Sequence, residues 1–266
     1  MYGVSGAQNL YSVSPAVQYL LSAYPVAASD CVTAPGYLSR MYSTARASRV
    51  RTRPIAVLFD LDGTLIDSIE LILGSMRYAF GKCGRPVPRD SEWLTGVGTP
   101  LPTMFRNYVS EEAHVTELIA AYREHQLVHH DSLVRCYAEV ADTLESLETR
   151  QHPLAVVTSK SEALARRGLE HSGILRYFKE IVGFDATERH KPHPEPVLTA
   201  LQHLGYEPFE AAFVGDSIHD VEAGNAAGVA TVAALWGPFT REQLEPARPT
   251  RFAERPGALP QIVAEL

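Results

Sequence analysis

The sequence predicts an α/β protein: a doubly wound parallel sheet with an α-helical cap domain inserted after the first strand. Three observations predict it. Short continuous apolar runs recur along the chain, helical patterns separate most of them, and the stretch from 70 to 137 holds helical patterns alone. Strands alternating with helices imply crossovers between parallel neighbours, with helices packed on both faces of the sheet.

The first strand is expected at 55–59, Ile-Ala-Val-Leu-Phe. A run with no polar alternation suits a strand buried on both faces. Four more runs, at 154–157, 180–183, 211–214 and 230–233, repeat the pattern. A helix over 161–171 follows a capping pair, Ser159 with Glu162, and stops at Gly173. The helix over 194–204 has prolines in its first turn, Val197, Leu198, Leu201 and Leu204 on one face, and Gly205 beyond its end. Another spans 217–227 and ends at Gly228. In the insertion, helices are expected at 69–82, around 92–108 and at 111–130, with Gly84, Pro86, Pro88, Gly96 and Gly98 as breaks. A short final helix is expected within 256–266. The resulting organisation is a leader or extension over 1–53, a catalytic core made of 54–69 and 138–266, and a helical cap over 70–137.

The chain has 266 residues, 45% of them hydrophobic, enough to bury a sizeable core. Its net charge of -7 argues against nucleic acid as a partner, because that binding depends on Lys and Arg displacing phosphate counterions. Cys31, Cys83 and Cys136 stand at no metal-ligand spacing and cannot all pair, which disfavours zinc and a disulfide framework and points to a reducing compartment. The uncharged stretch 16–29 is interrupted by Gln18, Ser22 and Pro25, so neither a membrane span nor a secretory signal is expected, and the location expected is cytoplasmic. Residues 1–59 contain one acid, Asp30, and five arginines, Arg40, Arg46, Arg49, Arg51 and Arg53. That composition also suits an organellar transit peptide, although a disordered extension is the expected reading.

Open α/β sheets bind ligands at the carboxyl ends of their strands. There the first strand runs into Asp60-Leu61-Asp62-Gly63-Thr64, the second into Thr158-Ser159 and the fourth into Gly215-Asp216-Ser217-Ile218-His219-Asp220, while Lys191 lies in the loop before the helix over 194–204. Carboxylates cannot cluster as buried anions without a cation, since desolvation and repulsion favour the neutral acid. A hard cation such as Mg²⁺ resolves this, working with one or two carboxylates, waters and phosphate oxygens. Asp60 and Asp216 are the expected ligands. Asp62 is assigned to the metal site too, and Asp220 supports it or orients Lys191 from one helical turn away. Asp60 is also placed to attack phosphorus as a carboxylate nucleophile, with Asp62 protonating the leaving group and then deprotonating water. Gly63, Thr64, Thr158, Ser159 and Lys191 form the expected substrate-binding set, whose backbone N–H groups, hydroxyls and ammonium would hold the phosphoryl oxygens. Asp67 reads as a helix N-terminal residue.

These residues resemble the signature of the haloacid dehalogenase superfamily: a hydrophobic strand running into Asp-x-Asp-Gly-Thr at 57–64, a strand ending in Thr at 156–158, the loop Lys191-Pro192-His193-Pro194, and Gly-Asp-x-x-x-Asp at 215–220. Over about 55–235 the chain is similar to phosphoglycolate phosphatases and to pyrophosphatases of the PpaX type. The resemblance implies a Rossmann-like core, a helical cap and Mg²⁺. It also implies Asp60 as nucleophile, Asp62 as acid and base, Thr158 and Lys191 as phosphate binders, and Asp216 as metal ligand.

The expected activity is therefore phosphate hydrolysis through an aspartyl phosphate, on a small phosphorylated metabolite such as 2-phosphoglycolate or, alternatively, pyrophosphate. A phosphomutase would retain the same core residues, a dehalogenase would leave Asp62 and Asp216 without a purpose, and a non-catalytic sensor would not need them. The cap is expected to hinge near Ile69 and Tyr137. His129, His130, His190, His193 and His219 read as solvated rather than as a second metal site. Arg106, Arg123 and Arg135 read as solvated helix-face residues, although such cap arginines, Arg106 in particular, would suit a second anionic group on the substrate.

Overall fold

The computed structural model describes residues 54–266; the leader reading for 1–53, and with it Cys31, lies outside the described residues. In chain order the elements are β1 (Ala56–Phe59), β2 (Ile66–Asp67), α1 (Ile69–Lys82), α2 (Asp90–Leu94), α3 (Leu101–Arg106), α4 (Glu112–Leu133), β3 (Arg135–Cys136), α5 (Val140–Thr149), β4 (Leu154–Val157) and α6 (Glu162–His171). The chain continues through β5 (Phe178–Val182), α7 (Glu195–Leu204), β6 (Ala211–Gly215), α8 (Ile218–Ala227), β7 (Ala230–Ala234), α9 (Arg241–Leu244), β8 (Arg251–Ala253) and α10 (Leu259–Glu265).

The sheet is parallel throughout, in the order β5-β4-β1-β6-β7-β8, so β1 lies between β4 and β6. Side chains alternate across a strand, and both faces of β1 are buried for different partners. Val57 and Phe59 pack with Leu144, Leu147 and Leu169 of α5 and α6, while Ala56 and Leu58 pack with Val197, Leu201 and Ala223 of α7 and α8. A continuous apolar run is the pattern such two-sided burial requires.

The structure departs from the expectation at several points. β5 starts at Phe178 rather than 180, and the helix expected around 92–108 is split into α2 and α3 by the loop through Gly96, Gly98 and Pro100. α6 takes Ser161 as its N-cap, because the Ser159 hydroxyl instead donates to the Gly98 carbonyl at 2.6 Å. The capping pair forms at α8, where Ser217 and Asp220 bond each other's backbone N–H groups at 3.3 and 3.0 Å. Asp67 accepts from the backbone N–H of Ile69 at 3.3 Å, beside the start of α1. α5 and β8 were not anticipated: β8 has three residues, too few to show a period, whereas α5 does carry Val140, Leu144 and Leu147 at helical spacing.

Helices α1 to α4 hold a hydrophobic cluster of their own around Phe80, Trp93, Phe105 and Leu118. The rings of Phe80 and Trp93 meet edge to face at 6.1 Å, and those of Trp93 and Phe105 lie 5.0 Å apart. The chain leaves the sheet and returns to it through an antiparallel ladder that pairs Ile66 with Cys136 and Asp67 with Arg135. Tyr137 closes this ladder by donating its N–H to Leu65 at 3.2 Å. Cys83 and Cys136 are free thiols. No helix among the described residues is long and apolar enough to cross a membrane.

Close packing of α8 on β7 depends on Gly224, where an added Cβ would fall 2.5 Å from the Thr231 methyl group. Gly224→Ala is expected to cost about 1–3 kcal/mol through this overlap, read as a lower urea midpoint with an unchanged slope.

Candidate active site

Three strands of the sheet end at one rim. The ladder continues one bond past β1 and β4, with Asp60 N–H donating to Val214 and Thr158 N–H donating to Val182, each at 2.9 Å. This fixes the backbone of the first acid and of the threonine. Lys191 comes from the loop before α7 and lies 3% exposed beneath them. Its ammonium donates to Asp60 Oδ1 at 2.6 Å, to Asp220 Oδ1 at 2.6 Å and to the Val157 carbonyl at 3.2 Å. An ammonium has three donors, so all are used. The Phe213 ring lies 5.7 Å from the same nitrogen.

Asp216 occupies the other side of Asp60. Its Oδ1 accepts from the Thr64 hydroxyl at 2.6 Å, and its Oδ2 is buried without a hydrogen-bond partner. Two glycines make room for this carboxylate. Gly63, at a φ of +88°, would place a Cβ 2.4 Å from Asp216 Oδ2, and Gly237 would place one 2.5 Å from Asp216 Cβ. Trp236 braces the loop by donating its indole N–H to the Thr64 carbonyl at 2.8 Å.

Asp60, Asp216 and Asp220 each offer an oxygen within 4.8 Å of the others. Against these three carboxylates stands the single ammonium of Lys191. Full ionisation therefore leaves an excess of two negative charges in a buried volume. Burial pushes the Asp60 carboxyl up to about 7 against the pull of Lys191, and Asp220 and Asp62 add to the rise. Asp216 is driven well above the ordinary carboxylate range by burial and by the charges of Asp60 and Asp220. Lys191 would be lowered by burial alone, but Asp220 and Asp60 outweigh that and raise it. A divalent cation fits both the excess charge and the unbonded oxygen of Asp216, since hard cations take carboxylate oxygens as ligands.

Asp62 stands apart from this cluster. Its Oδ1 accepts from the Ser68 hydroxyl and from the Lys160 ammonium, so its charge is already matched. Asp60, Asp62, Thr158, Ser159 and Lys160 line a cavity of about 80 Å³ whose opposite wall comes from the loop at 97–102 and from α4. A water molecule needs roughly 10–15 Å³ on this measure, so the space suits a ligand of only a few heavy-atom groups. Lys191, Asp216 and Asp220 do not reach the cavity surface. The expected substrate-binding set is thus divided. Thr158 and Ser159 face the cavity, while Gly63 and Thr64 hold Asp216, and Lys191 holds Asp60 and Asp220.

Of the three cap arginines, Arg123 alone lines the cavity; Arg106 is exposed and paired with Glu112 at 2.7 Å, and Arg135 donates to the carbonyls of Ser132 and Val134. His130 is buried with its Nδ1 bonded to Asp131 at 2.7 Å, and His129 is exposed and stacks on His125. Lys160, Trp236 and Gly237 escaped the sequence reading. Lys160 lies three residues past the end of β4, and Trp236 and Gly237 lie two and three past the end of β7, so reading every strand end three residues further would have found them.

The defining pattern of the haloacid dehalogenase-like hydrolases matches residues 57–234. The pyrophosphatase PpaX of Oceanobacillus iheyensis is 38% identical over 180 residues, covering 68% of this chain and 83% of that protein. Among solved structures, a predicted phosphatase from Clostridium acetobutylicum is 28% identical with a TM-score of 0.73, covering 81% of this chain and 100% of the other. A predicted phosphoglycolate phosphatase from Haemophilus somnus is 26% identical with a TM-score of 0.69, covering 79% and 98%. The acid pair after β1, the lysine bridge beneath it and the Gly-Asp turn after β6 all fall inside the matched span, and the chain belongs to the haloacid dehalogenase-like hydrolases.

Proposed function

We propose that the chain is a Mg²⁺-dependent phosphohydrolase acting through an aspartyl phosphate on Asp60, with a small phosphomonoester of the 2-phosphoglycolate kind as substrate. The observation that carries this reading is the bridged cluster itself. A buried aspartate is held by Lys191 through Oδ1, leaves Oδ2 unbonded, and opens onto a small cavity beside a second aspartate. A second reading, hydrolysis of pyrophosphate, is favoured by the name of the relative at 38% identity, whereas the neighbour named for phosphoglycolate is 26% identical.

In the first step the free oxygen of Asp60 forms a bond to phosphorus as the bond to the leaving oxygen breaks, and Asp62, which has to enter the step protonated on Oδ2, gives that proton to the leaving oxygen. Asp62 carries both of its hydrogen bonds on Oδ1, which leaves Oδ2 for proton transfer. In the second step Asp62 takes a proton from water, the water oxygen bonds to phosphorus, and Asp60 is released. Thr158 offers its hydroxyl to a phosphoryl oxygen from the cavity wall. Lys191 keeps Asp60 aimed and partly offsets its charge throughout. Mg²⁺ held by Asp60 and Asp216 would neutralise charge on the phosphoryl oxygens, with Asp220 holding its place through Lys191 and Ser217.

The metal can be tested without activity. Burial raises the Asp60 carboxyl to about 7 in the folded chain, against an ordinary value of 3.8. Between those values the folded state holds more protons, so the stability of the metal-free protein falls as pH rises through that window. Mg²⁺ competes with the same protons. At about 100-fold above its Kd, Mg²⁺ contributes ~2.7 kcal/mol, on the order of 5–10 °C in Tm for a chain of this size. The shift should be larger at about pH 8 than at about pH 5.5, and an equal shift at both, or none, would overturn the assignment.

Asp60→Asn should reduce turnover of an aryl phosphate by more than about a thousandfold with the fold intact, and should abolish trapping of labelled phosphate on the protein. Asp62→Asn should cost about 10²–10⁴-fold, most on substrates with poor leaving groups. Label that survives in Asp60→Asn would place the nucleophile elsewhere.

Ranked by kcat/KM over a panel of small phosphorylated metabolites, 2-phosphoglycolate or pyrophosphate should lead. A hexose phosphate or nucleotide ahead by more than tenfold, about 1.4 kcal/mol of transition-state preference, would overturn both substrate readings while leaving the mechanism in place.

A further inference from the structure

Helix α4 turns three polar side chains to the cavity. Tyr122, Arg123 and Gln126 fall on one face at helical spacing, and all three line the cavity opposite Asp60 and Asp62. Tyr122 and Gln126 are each only 4% exposed, yet neither the hydroxyl nor the carboxamide has a hydrogen-bond partner among the described residues. Neither group is bonded among the described residues and both line the cavity, so their bonding capacity is open there to water or to a ligand that displaces it. Arg123 is half-buried and also without a partner. This sets it apart from Arg77, Arg89 and Arg106 in the same cap, each of which is matched by a carboxylate. The Tyr122 hydroxyl is raised by burial, with the Asp62 carboxylate raising it further and Arg123 lowering it, so it lies within reach of both charges.

We infer that Tyr122, Arg123 and Gln126 form a subsite for a second anionic group of the substrate, a carboxylate or phosphate carried on the leaving side of the scissile bond. The inference rests on the phosphohydrolase reading and deepens it. Asp60 marks where phosphorus sits and Asp62 where the leaving oxygen is protonated, so the wall beside Asp62 meets the leaving group. A guanidinium fork matches two oxygens of a carboxylate or phosphate, and the phenol and amide can donate to the same oxygens. The cavity of about 80 Å³ allows only a short spacer between the two anions. A phosphomonoester with an apolar leaving group would leave all three groups unmet, and should be turned over with a lower kcat/KM than one that carries a second anion.

The test uses the full chain with Mg²⁺ and three probes that cannot be hydrolysed. Methylphosphonate carries one anionic group, phosphonoacetate adds a carboxylate, and methylenediphosphonate adds a second phosphonate. By calorimetry, at least one of the two-anion probes should bind the wild type tenfold or more tightly than methylphosphonate, and the leading probe tells carboxylate from phosphate. Arg123→Gln should reduce that preference below about threefold and Arg123→Lys should keep part of it, since the charge remains and the fork is lost. Gln126→Leu should lower the same ratio. Equal binding of all three probes by the wild type would overturn the subsite, as would an Arg123→Gln variant that weakens methylphosphonate as much as the others. A wild type that retains the preference but hydrolyses no phosphate would instead overturn the phosphohydrolase reading and leave the subsite standing.

Discussion

The Lys191 ammonium, bonded at once to Asp60, Asp220 and the Val157 carbonyl, ties together the residue after β1, the first turn of α8 and the end of β4. Every other feature of the rim is arranged around it. Removing a single partner from a buried ion pair costs about 3–5 kcal/mol, because the charge left behind has neither water nor counter-ion. Here the bridge does not fully compensate its own surroundings, since Asp216 adds a third carboxylate with one oxygen unbonded. A cation beside these acids would offset the charge that Lys191 alone does not balance. The imbalance follows from one ammonium facing three acids in a space that excludes solvent.

Space at this rim is controlled by glycine. Gly63 and Gly237 let the backbone come within van der Waals distance of Asp216, and Gly215 does the same for Asp220. The cap reaches the rim by the same means. Gly98, at a φ of +101°, lies so close to Ser217 that a Cβ would fall 2.7 Å from its hydroxyl, and its carbonyl accepts from Ser159. One loop of the insertion thus touches the turns after β4 and β6 together. A ligand that displaced water from the cavity between them would meet each charge through a lower effective dielectric.

Under the proposed reading the two parts divide the work between them. In the proposed mechanism the core would supply the groups that act on any phosphoryl group: a nucleophile, an acid, a hydroxyl and a cation site. The cap supplies the wall that meets the rest of the molecule, and that wall is built from α4 and the loop at 97–102. Lys160 stands at the boundary, paired with Asp62 and facing the same cavity. A change of a few side chains along α4 can alter what is accepted without touching the bridge beneath.

Much of the core was legible in the sequence, because parallel strands buried on both faces must be written as continuous apolar runs and because helices between them stop at glycines such as Gly205 and Gly228. The acids at the strand ends were legible for the same reason: once the strands are placed, their carboxyl ends share a rim. The split of 92–108 and the strand β8 were not, since short elements carry too few residues for a period. By itself the sequence determined the sheet, the helical insertion and the identity of the rim residues, all of which depend on local pattern and chain order. Tertiary structure alone decided which of those residues touch. It sent Arg106 to Glu112 and Arg123 to the cavity, gave Lys160 to Asp62 and Ser159 to Gly98, and left Asp216 with an open oxygen. These pairings join residues far apart in the chain, and the distance between such residues is set by packing rather than by any spacing along it.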